Sequence, residues 1–158
     1  MRRFISLALS FLILATSVVA APPVPEVEPN DTYDDADQAH VNVVRRGAIT
    51  PAGDTDMYRI NGSDGRGVIA LLDTSLSTDP GDAILSLIGS DQSTTLGTDS
   101  SSWANGPALA LTAFADNEDH FLEVKAHPDD ATVSHYELRY YTLPLNDAPE
   151  VEPNEWRD

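Results

Sequence analysis

An all-β fold, two antiparallel sheets packed as a sandwich, is the class this sequence predicts, and three observations predict it. Apolar runs are short and bounded by turn residues such as Asn61-Gly62, Asp64-Gly65, Asp79-Pro80-Gly81 and Asn105-Gly106. Within the runs, apolar and polar residues alternate with the period of two that a half-buried strand requires. Beyond residue 20, no stretch of ten or more residues keeps a convincing helical period.

Taken in order, the chain opens with Met1-Arg2-Arg3, the apolar stretch Phe4 to Val19, and Val18-x-Ala20 as a cleavage signal, which together read as a signal peptide over 1–20. The stretch is shorter than the roughly 20 apolar residues a spanning helix needs and is interrupted by serines, so no membrane span is expected. A Pro-rich leader, Ala21 to Pro25, precedes a polar segment, Glu26 to Gln38, with little periodicity. Strands are expected at Val41–Ile49, Met57–Asn61, Gly67–Asp73, Ala83–Ile88, Ala108–Phe114, His120–Ala126 and Ser134–Thr142. Gly89 to Asn105, rich in Ser, Thr, Gly and Asp, reads as a long loop or a weak edge strand. Alternation places Leu122, Val124 and Ala126 on one face, opposite Phe121, Glu123 and Lys125. It likewise places Tyr136, Leu138 and Tyr140 opposite Glu137, Arg139 and Tyr141. Strands of this kind with turns between them pack as two sheets over one core, here a single domain over 26–145.

Cleavage after Ala20 leaves 138 of the 158 residues, with seven basic side chains against 26 acidic ones. Such a surface repels nucleic acid and anionic lipid, whose recognition needs clustered Lys and Arg, and it attracts cations. There is no cysteine, so no disulfide staples the domain and no lipid can be attached to an N-terminal Cys. Either a bound divalent metal takes the staple's place or a core of this size suffices unaided.

The hexapeptide Pro-Glu-Val-Glu-Pro-Asn occurs at 25–30 and again at 149–154, an offset of 124 residues. Residues 146–158 therefore read as a linker and the start of a second, truncated copy, in which Glu155 stands where the first copy has Asp31.

The run Glu26-Val27-Glu28-Pro29-Asn30-Asp31-Thr32, followed by Gly53-Asp54-Thr55-Asp56-Met57-Tyr58-Arg59-Ile60, resembles the bacterial pre-peptidase C-terminal domain. His120-Phe121-Leu122-Glu123-Val124 and Tyr136-Glu137-Leu138-Arg139 stand where that family has its last two strands. The resemblance spans roughly Glu26 to Leu143 and implies a jelly-roll-like sandwich that accompanies secreted peptidases without being catalytic. By likeness to collagen-binding relatives it also implies calcium held by Glu26, Glu28, Asn30 and Asp31 from the first segment and by Asp54 and Asp56 from the second. Thr50 is a further counterpart of a hydroxyl that some relatives offer.

Residue chemistry is compatible with that set, because carboxylates and an amide oxygen suit a hard cation of six to eight oxygen ligands. In an extended segment Glu26 and Glu28 point the same way, and Pro29 favours an extended Glu28. The competing reading is a solvated acidic linker and an ordinary turn.

No catalytic residue set is present. His40, His120, His127 and His135 form no zinc motif, and no Gly-x-Ser-x-Gly elbow occurs. Phe121 and Tyr141 are either surface aromatics that grip a polypeptide or sugar, or are covered by a loop, the reading we prefer. The expectation is thus a secreted or periplasmic, monomeric, non-enzymatic module that binds or tethers on an extracellular protein or polysaccharide. The alternative is an accessory fragment of an exported peptidase or other hydrolase whose catalytic domain lies elsewhere.

Overall fold

The structure, a computed structural model, describes residues 21–78, 82–101 and 107–145. The expected signal peptide and the expected second copy lie outside the described residues. The described residues form ten strands: β1 (Val24–Pro25), β2 (Asp37–Gln38), β3 (Arg45–Ile49), β4 (Thr55–Asn61), β5 (Arg66–Asp73), β6 (Ala83–Ile88), β7 (Thr95–Ser101), β8 (Ala108–Ala113), β9 (Asp119–Ala126) and β10 (Val133–Pro144). Among the described residues there is no helix, and hence none long and apolar enough to cross a membrane.

Two sheets of five strands make the sandwich. The first has the order β1-β3-β10-β5-β8 and the second β2-β4-β9-β6-β7. The long pairings are antiparallel, as expected, whereas β1 on β3 and β2 on β4 are parallel, so both sheets are mixed. The core lies between the sheets and is filled by Tyr58, Ile60, Leu85, Leu87, Leu122 and Val124 from the second and by Ile49, Val68, Leu72, Tyr136, Leu138 and Tyr140 from the first. Each such side chain stabilises the fold by about 1.5–3 kcal/mol through removal of apolar surface from water.

Several expected boundaries move for local reasons. The strand expected from Val41 begins at Arg45, because Asn42 adopts a left-handed φ of 61° and the Val43 amide bonds back to the His40 carbonyl, making a turn. Of the two readings of Gly89 to Asn105, the edge strand holds, since β7 pairs with β6 along Ala83↔Ser101 to Ile88↔Thr95. Phe121 faces outward, as alternation requires, yet is 3% exposed, with the Tyr33 ring edge-on at 4.9 Å and the Arg59 guanidinium 5.9 Å from its centroid. It is covered, not displayed.

The short strands set the position of the site. Chain 24–38 starts on the edge of the first sheet and ends on the edge of the second, so it straps the side of the sandwich where β3 and β4 lie. Arg45, buried on the inner side of β3, holds both ends: its guanidinium donates to the carbonyls of Pro25 and Gln38, and it lies 3.8 Å from Asp37.

Candidate metal centre

Under this strap, three segments bring carboxylates together. Glu26 is fixed by its own amide, which donates to the Arg46 carbonyl, and by the Ala48 amide, which donates to Glu26 Oε1, both at 2.9 Å. Asn30 is tied to β4 through its carbonyl, which accepts from the Met57 amide at 2.9 Å, and its amide donates to Glu28 Oε2 at 3.2 Å. The turn Thr50–Asp54 is closed by Asp54 Oδ2, which accepts from the Thr50 amide at 2.8 Å, while Oδ1 accepts from that of Thr55 at 3.0 Å. Gly53 supplies the φ of +88° that lets this turn reverse before β4. The peptide bonds Glu28-Pro29 and Thr50-Pro51 are both cis.

The result is two overlapping triads. Oxygens of Glu26, Glu28 and Asp56 lie within 4.8 Å of one another, as do those of Glu28, Asp31 and Asp54, with Glu28 common to both. All six residues implied by the resemblance therefore gather at one place: five as converging carboxylates, and the fully buried Asn30 through its backbone amide, which donates to Glu28. Thr50 takes part through its backbone amide.

Two residues absent from that set complete the surroundings. Tyr58 and Tyr136 point inward from β4 and β10, and their hydroxyls are 2.5 Å apart. The Tyr136 hydroxyl lies in hydrogen-bonding contact with Asp56 Oδ2 and 3.1 Å from Glu26 Oε2, and the Tyr58 hydroxyl is 3.4 Å from that same oxygen. Gly47 leaves them room, because a Cβ there would collide with the Glu26 carboxylate and the Tyr136 hydroxyl. Tyr58 belongs to the Asp-x-Asp-x-Tyr run and so carried a sequence signal; Tyr136, 110 residues from Glu26, was marked only by its inward phase and its place in the run resembling a last strand, neither of which pointed to this site.

Donors are in short supply. Two phenolic protons and one amide serve the oxygens of Glu26 and Asp56, and Asp56 Oδ1 has no partner although Asp56 is fully buried. Neither side-chain polar atom of the buried Asn30 has a partner. Burial, and after it the nearby Glu26 charge, pushes the Asp56 carboxyl up to about 9 against a lowering contribution from Tyr136. Burial, then the Asp54 charge, raises Glu28, and burial together with Asp31 raises Asp54. Burial likewise raises both tyrosines, so their hydroxyls stay protonated donors. Buried oxygens without donors are the condition that a hard cation relieves, and an all-oxygen set of carboxylates with one amide fits calcium better than softer metals.

No protein-family model matches the chain, and no curated protein sequence does. Solved structures do. The fold is similar to the pre-peptidase C-terminal domain of a collagenase from Bacillus anthracis, with a TM-score of 0.50 at 18% identity over 66% of this chain and 93% of that domain. It is also similar to PliG of Aeromonas hydrophila, a periplasmic inhibitor of g-type lysozyme, with a TM-score of 0.53 at 12% identity over 68% of this chain and 96% of the inhibitor. At these identities the likeness establishes the sandwich fold.

Proposed function

We propose that this chain is an exported, non-catalytic β-sandwich module, fastened by one calcium ion, that binds or tethers at the cell surface or on an extracellular polymer. The observation that carries the reading is the convergence of five carboxylates on a place where Asp56 Oδ1 and the Asn30 side chain are buried without partners. Glu26, Glu28, Asn30, Asp31, Asp54 and Asp56 would hold the ion, which when bound supplies positive charge to oxygens that lack donors. Its binding free energy would add to folding, since the strap and the Thr50–Asp54 turn meet only in the native state. Support for a non-catalytic role comes from the absence of any nucleophile and base pair in the sequence and from the two structural neighbours, an accessory domain and an inhibitor.

Thermal unfolding with calcium and with chelator tests this. At calcium a hundredfold above its dissociation constant the folded state gains about 2.7 kcal/mol. The gain should vanish in Glu28→Ala combined with Asp56→Ala. An unfolding midpoint indifferent to calcium, or a response that survives the double variant, overturns the proposal.

The collagenase likeness supports a second reading, in which the module serves beside the catalytic domain of an exported hydrolase. The sequence flanking the chain in its gene decides between them.

A further inference from the structure

Asp56 and Tyr58 alternate in phase on β4, so both project into the core from the second sheet, and Tyr136 meets them from β10 of the first. All three are fully buried. Their polar atoms must therefore find partners inside the protein.

The protons can be followed one by one. Each phenol has a single proton to give. The two hydroxyl oxygens are 2.5 Å apart, so one proton lies between them. If Tyr136 gave it, Tyr58 would be left with Glu26 Oε2 at 3.4 Å, and Asp56 Oδ2 would receive nothing from the hydroxyl it touches. Tyr58 therefore donates to Tyr136, and Tyr136 donates to Asp56 Oδ2, the nearer of its two carboxylate neighbours, since Glu26 Oε2 is 3.1 Å away. The relay engages one oxygen of Asp56 and stops there. Asp56 Oδ1, equally buried, has no partner in the protein.

We propose that Tyr136, backed by Tyr58, is a positioning residue for the ion: it ties down Asp56 Oδ2 and leaves Oδ1 for the cation. A hydrogen bond to the ionised form of a carboxylate favours that form, which is the one a cation takes. Hydrogen bonds in series polarise one another, so the proton from Tyr58 strengthens the bond that Tyr136 makes. Partners of this kind behind a metal ligand fix its orientation, and losing one typically costs about 10–100-fold in metal affinity. Ligand and donor stand on opposite sheets, so Asp56 is set in place only when the sandwich has closed.

The inference rests on the calcium reading above, and calorimetric titration of the full chain with calcium separates the two. Tyr136→Phe, which removes one oxygen and keeps the ring, should bind calcium about 10–100-fold more weakly than wild type, and Tyr58→Phe should weaken it by less. Tyr140→Phe, the same change at another buried tyrosine of β10, should leave the affinity unchanged. Tyrosine absorption gives a second readout. Calcium draws on the charge of Asp56 and weakens the bond from Tyr136, so the wild-type difference spectrum should carry a phenol band that Tyr140→Phe keeps and Tyr136→Phe largely loses. If Tyr136→Phe does not fold, Tyr58→Phe carries both measurements. A wild type that binds no calcium overturns the ion reading and this inference with it. Wild-type affinity in the folded variant overturns the positioning role alone, and so does an equal loss in Tyr140→Phe.

Discussion

The cluster beneath the strap and the turn between β6 and β7 are both rich in carboxylates, yet they solve the same problem in opposite ways. At the turn, Asp91 accepts from the amides of Ser93 and Thr94 and from the Thr94 hydroxyl at 2.6–3.0 Å, and those donors hold its carboxyl well below the usual range. Asp116 nearby accepts from the Ser90 hydroxyl and the Glu118 amide and is likewise lowered, first by Ser90. Beneath the strap, Asp56 has a phenol for one oxygen and nothing for the other, and its carboxyl is raised. Acidic residues alone do not distinguish a site from a turn; the shortage of donors does.

The sharpest way to break that contrast is Asp56→Asn. Without calcium it should stabilise the protein by about 1–3 kcal/mol at neutral pH, because folding no longer has to protonate a buried carboxyl beside Glu26 and a neutral group of the same shape takes its place. With calcium the order should invert, the variant lacking the gain that the wild type shows. Equal behaviour of the two proteins in both buffers would place Asp56 outside any ion site.

A smaller, graded effect should follow pH. Asp56 has an ordinary value of 3.8 in the unfolded chain and about 9 when folded, so between those limits the folded state holds the extra proton and stability falls as pH rises. The slope is at most about 1.4 kcal/mol per pH unit for one proton, with Glu28 and Asp54 acting in the same direction. Calcium, by replacing that proton, should flatten the profile. Asp91 and Asp116 act with the opposite sign, contributing stability that is present above the ordinary carboxylate range and lost in acid. Chemical denaturation across pH, with chelator and with calcium, measures both limbs; a chelator profile with no decline above pH 4 contradicts the raised carboxyl at Asp56.

Least is expected of Asp91→Ala. It should lower the unfolding midpoint slightly, steepen no part of the neutral pH profile and leave the calcium response whole. A lost response there would mean that the two clusters are coupled.

Alternation along the strands made most of the fold legible. It phased Tyr136, Leu138 and Tyr140 inward on β10 and Leu122 and Val124 inward on β9, as found. It could not show β1 and β2, whose two residues each are held by backbone pairing and by Arg45, and whose side chains show no period. Nor could it show that Tyr33 covers Phe121, since phase names a face and not its neighbours. For the site, the acidic motifs named the residues that gather, but their spacing gave no hint that Asp56 is buried or that Tyr136 donates to it from 80 residues away. The proline after Glu28 gave no sign of the hydrogen bond by which the Asn30 amide holds the Glu28 carboxylate.

The contact between Glu26 and Tyr136 closes a loop of 110 residues. Chain entropy opposes such closure until most intervening strands are in place, so this corner is expected to assemble late and to be little formed at the folding barrier. An ion seated there would leave the rate of folding nearly untouched and slow the reverse step. For a module exported as proposed, an unfolded copy would have few means of rescue, and long residence in the native state would matter more than quick arrival.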